Sequence, residues 1–150
     1  MSLVVMASIA TIISCGIAII EGVYIFNNFI PKILVSKPYL AGSIDDLALR
    51  LELVNPSNTT LQIDKAEIND IKIGLLHVRK IKNEVTGQPV SFIPPKSPMR
   101  LNIFFTEPSP IRQNKDKLGS SSVFTLIFHL SNHRMFRRVE AKFNVDIPST

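Results

Sequence analysis

The chain has a single cysteine, Cys15, and no tryptophan. One cysteine cannot form an intramolecular disulfide, and a cysteine-based metal site needs several. Basic residues are scattered along the chain rather than grouped with aromatic residues, so we expect no nucleic-acid partner. The chain is therefore neither a disulfide-stapled scaffold nor a zinc module, and its redox compartment stays open.

Charge is missing from the start of the chain. No Lys or Arg precedes Lys32, and residues 3–20 carry no charge at all. A secretory signal peptide has a basic start and an apolar core of about 7–15 residues, so this segment does not match one. Ile12-Ile13-Ser14-Cys15 loosely resembles a lipoprotein processing site, but the run stays apolar after Cys15, which argues against cleavage there.

A long apolar run, Leu3 to Phe26, is present instead, interrupted only by Glu21. At about 1.5 Å per residue such a helix spans roughly 36 Å, enough to cross a hydrocarbon core of about 30 Å. A buried helix of a soluble protein is the alternative, and it would have to be enclosed on every side. We predict a transmembrane anchor over residues 1–31, ended by Asn27-Asn28 and Pro31, in a single-pass protein of the cell membrane.

One side of this helix is made of small residues. At about 100° per residue they share one line, and the candidate helix-packing residues are Ala7, Thr11, Ser14, Ala18 and Gly22, with Glu21 beside them. Small residues let membrane helices approach closely, so the expected partners are membrane lipid and a second helix, from another copy or another subunit. We expect Glu21 at the headgroup level, while a pairing with the partner helix or an ion path stays open.

Residues 32–150 carry a net charge of +6 and read as strands. The clearest alternate apolar and polar residues with a period of two, over Leu47–Val54, Met99–Thr106, Ser122–Leu130 and Met135–Ile147. Weaker strand patterns cover Ile33–Leu40, Thr59–Ile63, Ile68–Val78 and Val90–Ile93. We expect turns at Asp64-Lys65 and residues 131–134, and a basic loop over residues 111–120. Seven to eight short strands predict a mainly β, antiparallel sandwich behind the helix.

Three segments of this domain carry a family resemblance. They are the strand that runs into Asn55-Pro56, in LRLELVNPSNTTLQI, the strand EINDIKIG, and the Pro-Pro-Lys-Ser run before a strand, in IPPKSPMRLNIFF. Together they resemble the late-embryogenesis-abundant type 2 family, also called the water-stress and hypersensitive-response domain, over roughly Leu40 to Ile147. The resemblance implies an Ig-like or fibronectin-like sandwich, no shared catalytic residues, and roles in binding, membrane association and stress protection. The missing basic tail before the helix departs from the plant-type members.

No catalytic or metal-binding pattern stands out. His129 and His133 flank a predicted turn without a local cysteine or carboxylate partner. Residues 120–122 are serines that lack a nucleophile elbow, and Asp45, Asp46 and Asp64 read as solvated turn residues. We expect no enzyme activity, no cofactor and no metal.

Two surface features are candidate contact sites. Arg134, Arg137 and Arg138 form the densest basic cluster, which would suit lipid headgroups or an acidic partner, or would simply be a solvated hairpin edge. Asn58-Thr59-Thr60 fits an N-glycosylation acceptor in a turn. It favours an extracytoplasmic position for the domain.

Three functions fit these features. The first is a non-enzymatic, membrane-anchored binding protein whose helix packs against a membrane partner and whose sandwich binds a protein or surface layer. The second is a filament component, because an apolar helix before a sandwich resembles archaeal pilin-like and archaellum-stator proteins, although no basic processing site precedes the helix. The third is an accessory subunit of a multi-subunit membrane complex. Self-assembly would indicate the second and a fixed heteromer the third.

Overall fold

The computed structural model describes residues 2–43 and 46–149, with the side chains of residues 27–29 outside that description. The chain divides into two compact units, Met1–Ile30 and Pro31–Thr150. The first is one helix and the second contains two antiparallel sheets. The predicted mainly β fold behind an N-terminal apolar helix is therefore confirmed.

Helix α1 spans Leu3–Phe29. The apolar span ends at Phe26, directly before Asn27-Asn28 as predicted, and the helix itself continues for three more residues. Asparagine costs a helix interior less than about 1 kcal/mol. The residue before a proline is instead pushed towards extended geometry, and Ile30, which precedes Pro31, is extended at φ −66° and ψ 124°.

The second unit has nine strands in the described residues, more than the seven to eight predicted. Two of them, β4 and β6, are only three and two residues long. The strands are β1 (Leu34–Ala41), β2 (Ala48–Val54), β3 (Leu61–Asp70), β4 (Gly74–Leu76), β5 (Val78–Asn83), β6 (Phe92–Ile93), β7 (Met99–Phe105), β8 (Ser121–Leu130) and β9 (Arg138–Asp146).

The first sheet has the order β1-β2-β7-β5. Strand β1 lies at its edge, as Pro38 predicts, because proline has no N–H to donate to a second neighbour. The pairing of β1 with β2 shifts between Ser36 and Tyr39, and Lys37 there has a positive φ of 49°. This bulge absorbs the proline without ending the strand.

The second sheet has the order β4-β3-β8-β9, and β6 pairs with the start of β3. Its centre is β8, in which Leu126 lies opposite Ile68 of β3 and Ala141 of β9. The core lies between the sheets, where the largest side chains without exposed surface are Phe124 and Phe128. Phe124 meets Phe143 edge to face with the ring centroids 6.3 Å apart.

Strand β3 differs from the sequence-based prediction at both of its predicted boundaries. The expected turn at Asp64-Lys65 is wrong, because β3 continues through it with a register shift between Ile63 and Lys65. A bulge lets an extra residue leave the ladder while the strand continues. The exposed Asp64 is thus a bulge residue, and Asp45 falls outside the described residues.

The single strand expected over Ile68–Val78 is also wrong. The chain leaves β3 at Asp70, turns, and returns as β4 at Gly74, which has a φ of 82°. The Asp70 carboxylate accepts hydrogen bonds from the backbone N–H groups of Lys72 and Ile73 at 2.8 and 2.9 Å. Such an Asx turn offers the backbone an alternative to the ladder. The strand that follows, β5, was not predicted.

The loop expected over residues 111–120 is replaced by two one-turn helices, α2 (Pro110–Gln113) and α3 (Lys115–Leu118). The prediction missed that Ile111 and Leu118 are buried, with 1% and no exposed surface. Two apolar residues seven apart in a basic stretch anchor it to the core. The basic side chains of Arg112 and Lys117 are exposed.

The connection between β8 and β9 is longer than the predicted turn. Strand β9 begins at Arg138 rather than at Met135, so residues 131–137 form the loop. Met135 is 83% exposed, and the apolar alternation of the strand starts only at Val139.

Candidate functional site

The surface of α1 is the most unusual feature of the chain. Residues Leu3–Phe26 have a mean hydropathy of 2.6, and none of this window is buried. A helix that is apolar all round is normally found in a large core or in lipid. The segment is thus long and apolar enough to cross a membrane.

Three hydroxyl side chains at the start of α1 make hydrogen bonds within the helix. Ser2 caps its start, with Oγ accepting from the backbone N–H of Val5 at 3.3 Å. The hydroxyls of Ser8 and Thr11 donate to backbone carbonyls one turn earlier, both at 2.9 Å. Hydroxyls satisfied in this way add little cost in an apolar environment.

The candidate packing residues all lie on this one continuous helix. Ala7, Thr11, Ser14, Ala18 and Gly22 recur every three or four positions and are exposed, as is Glu21. A Cβ atom built on Gly22 meets no heavy atom within 4 Å, so nothing in the described chain demands a glycine there. Their packing against a second helix stays a prediction.

The turn between β2 and β3 contains the candidate glycosylation residue. Asn58 and Thr60 are both exposed, and the backbone carbonyl of Thr60 accepts a bond from Asn132 at 2.8 Å. An acceptor tripeptide must be reachable on a surface turn. Asn58 meets that requirement, and its modification stays a prediction.

The three arginines of the basic cluster are exposed, but they differ in their position and in their ion-pair partners. Arg134 and Arg137 lie in the loop between β8 and β9, whereas Arg138 begins β9 and pairs with Glu140 at 3.1 Å. The loop is held by Asn132, whose side chain bonds backbone groups of Thr60 and Gln62. Because Arg138 already has a carboxylate partner, Arg134 and Arg137 are more available than Arg138 for contact with another molecule.

Beside this cluster, Glu67 joins two basic side chains on the outer face of the second sheet. It bonds Lys65 on its own strand and His129 on β8, the latter at 3.1 Å. These hydrogen bonds, that of Lys65 first, lower the pKa of the Glu67 carboxyl from its usual value to about 2. Within the described residues no group of three metal-ligating side chains comes together, and the side-chain contact of His129 is the hydrogen bond with Glu67.

The lowered pKa of Glu67 predicts how the stability of the sandwich changes with pH. Because the folded pKa of Glu67 is depressed, its stabilising contribution is complete above its unfolded pKa near 4.5 and is lost as the pH falls towards about 2. We expect Glu67→Gln to lower the denaturant midpoint at pH 7, and the gap from the parent to close between about pH 4.5 and pH 2. Glu140→Gln, in an exposed pair, is the control and should show a much smaller gap. A gap that is constant with pH would contradict the assignment.

Asn55 ties together two of the segments that carry the family resemblance. It has no exposed surface, and its amide donates to the carbonyls of Thr59 and Ile93 at 2.7 and 3.3 Å. Its side-chain oxygen accepts from the backbone N–H and the hydroxyl of Ser57 at 3.0 and 2.5 Å. The Asn-Pro turn and the Pro-Pro-Lys run therefore meet around one buried amide.

Lys96 closes this junction from the other side. Its backbone N–H donates to the carbonyl of Asn55 at 2.8 Å, and its ammonium donates to the carbonyl of Pro56 at 2.7 Å. Lys96 has a positive φ of 65°, which a non-glycine residue adopts only when its surroundings hold it there. The junction thus sets the geometry of one end of the sandwich.

Asp70 and Ser122 form a second buried polar pair that sequence reasoning missed. They are 2% and 5% exposed, and the Ser122 hydroxyl donates to the Asp70 carboxylate. The sequence signal that could have revealed this turn is Asn69-Asp70 followed by Gly74, because such residues are typical of turns. The Asp70 carboxylate therefore accepts hydrogen bonds from the turn and from strand β8 at the same time.

Comparison with known proteins finds no family model that matches the chain and no matching curated protein.

Proposed function

We propose that this chain is a non-enzymatic, membrane-anchored binding protein. Helix α1 spans the membrane once and packs against a second membrane helix, and the sandwich binds a protein or surface layer. The observation that carries the proposal is the contrast between the two units: the helix window buries nothing, while the sandwich has a complete core of its own. An apolar helix left uncovered needs lipid or another helix around it.

The strand order supports an Ig-like sandwich, a scaffold typical of binding modules. Constant-type Ig domains pair strands A-B-E-D in one sheet and C-F-G in the other. The order β1-β2-β7-β5 corresponds to A-B-E-D, and β3-β8-β9 to C-F-G, with β4 as an added edge. The contact of Asn55 with Lys96 supports the proposed resemblance to the late-embryogenesis-abundant type 2 family to this extent: it joins two of the segments on which the resemblance rests.

We place the sandwich on the extracytoplasmic side, on the strength of the exposed Asn58 acceptor. Proteolysis of intact cells or spheroplasts tests this directly. Digestion of the sandwich from outside supports the topology, and protection until the membrane is lysed contradicts it.

Crosslinking with mass spectrometry on gently solubilised native membranes tests the binding role. Links from α1 to other membrane subunits would identify the chain as an accessory subunit, and an extended ladder of self-links would identify a filament component. Links from the sandwich to one surface protein support the proposed role. The absence of any protein link to either unit would contradict it.

Ala18→Leu tests the packing face of α1. We expect a dissociation constant for helix association raised on the order of tenfold, because the added carbons push the two backbones apart. The sandwich should unfold at an unchanged denaturant concentration. Val23→Leu adds bulk on the opposite face and is the matched control. Unchanged association of the Ala18→Leu variant in lipid would remove the packing face from the account.

A further inference from the structure

A small pocket opens on the outer face of the first sheet. Its volume is about 110 Å³, well beyond the roughly 10–15 Å³ that holds one water. The polar side chains that line it are Lys37, Tyr39, Arg50, Glu52, Glu84 and Arg100. The pocket therefore has room for a small polar group held by charged side chains.

The strand register brings these residues together from distant parts of the sequence. Arg50 of β2 lies opposite Tyr39 of β1, and Glu52 lies opposite Arg100 of β7. Glu84 follows β5, and its backbone N–H donates to the carbonyl of Arg100 at 2.9 Å. Four segments thus converge on one spot of a rigid sheet, which is a firmer support for a site than a loop.

The cations of the pocket outnumber its anions. Lys37, Arg50 and Arg100 face Glu52 and Glu84, which leaves an excess of one positive charge. The three shortest cation-to-carboxylate distances are 3.7 Å from Lys37 to Glu52, 3.8 Å from Arg50 to Glu84 and 3.9 Å from Arg100 to Glu52. Hydrogen bonds to oxygen lie at about 2.7–3.2 Å, so these pairs attract each other without using the donors.

Arg50 shows the unused capacity most clearly. Its Nε is buried and has no hydrogen-bond partner among the described residues. A guanidinium carries five N–H donors in a fixed fork and normally uses them on carboxylate or phosphate oxygens. A buried donor left unpaired is unfavourable, and a rotation of the guanidinium towards an anion seated in the pocket would pair it.

The geometry points to a binding site for a single carboxylate, presented by an acidic side chain of a partner protein or by a small organic acid. A monoanion matches the excess of one positive charge, whereas a phosphate dianion would also meet Glu52 and Glu84 at close range. The planar fork of Arg50 suits the two oxygens of a carboxylate. This site deepens the proposed binding role by naming the chemistry that the sandwich recognises.

Arginine side-chain NMR on the full chain in detergent micelles tests the site. The probe is sodium acetate, titrated against sodium chloride and sodium phosphate at matched ionic strength. We expect the Arg50 Nε–Hε resonance to shift and saturate with acetate only. A linear drift equal to that in chloride, or saturation by phosphate but not acetate, would overturn the proposal.

Variants of the pocket arginines test which side chains bind the acetate. Arg50→Gln and Arg100→Gln should each raise the acetate concentration at half-saturation by on the order of tenfold, with Tyr39 resonances as the readout. Arg79→Gln is the control, because Arg79 pairs with Glu107 elsewhere on the surface. Unchanged half-saturation in both pocket variants would contradict the site.

A glutamate-rich peptide and its glutamine counterpart then distinguish the sources. Tighter binding of the first than of acetate indicates an acidic protein partner, and binding of acetate alone indicates a free acid. If the pocket does not bind acetate, the crosslinking experiment still tests the proposed binding role independently.

Discussion

Replacing Phe124 with alanine is expected to lower the free energy of unfolding of the sandwich by about 3–5 kcal/mol. Phe124 has no exposed surface, lies on the central strand β8 and packs edge to face against Phe143. Its removal forfeits the transfer free energy of a ring and leaves a cavity that neighbours on two rigid sheets cannot fill. Guanidinium denaturation of the full chain in detergent, followed by the β-sheet circular dichroism signal, measures the change.

Phe92→Ala is the matched control for this experiment. Phe92 lies on the short strand β6 and is 55% exposed, so its truncation opens no internal cavity. We expect a loss below about 1 kcal/mol. Equal losses at the two positions would mean that the core does not lie between the sheets as described.

Replacing Asn55 with alanine should cost about 2–4 kcal/mol although it removes only a small polar side chain. The Asn55 amide serves the carbonyls of Thr59 and Ile93 and the N–H of Ser57. Because this region is buried, water cannot replace all the lost bonds, and unpaired groups carry their full desolvation cost. The same denaturation experiment measures the loss.

Asn58→Ala, three residues along in the same turn, separates burial from residue type. Asn58 is exposed, and we expect its replacement to change stability by about 0.5 kcal/mol or less. If Asn55→Ala were as mild as Asn58→Ala, the junction between the Asn-Pro turn and the Pro-Pro-Lys run would not hold the sandwich together.

Strands with strict alternation were predictable because a period of two reports burial directly. Strands β2, β7 and β8 agree with the pattern, and their apolar residues Leu49, Leu101 and Phe124 are buried. The turn after Asp70 was missed because apolar Ile71 and Ile73 continued the alternation across it. Hydrogen bonds from the backbone to the Asp70 carboxylate outweigh that local pattern.

The candidate sites also differ in whether the sequence alone could predict them. The apolar helix and its small residues follow from composition and spacing alone. The carboxylate pocket does not, because Lys37, Arg50 and Arg100 become neighbours only through strand register. Register depends on the pairing of the whole sheet, so Arg50 and Glu52 read from the sequence only as the solvent face of a strand.

Alkaline carbonate washing of membranes that contain the full chain, followed by intact mass measurement, tests the central claim most directly. If α1 spans the bilayer, the protein stays in the washed membrane with residues 3–26 still attached to the sandwich. Release into the supernatant would mean that the helix does not cross the membrane. A retained or soluble form shortened by the N-terminal segment would mean that the apolar run is removed, and would contradict the anchored binding protein proposed for this chain.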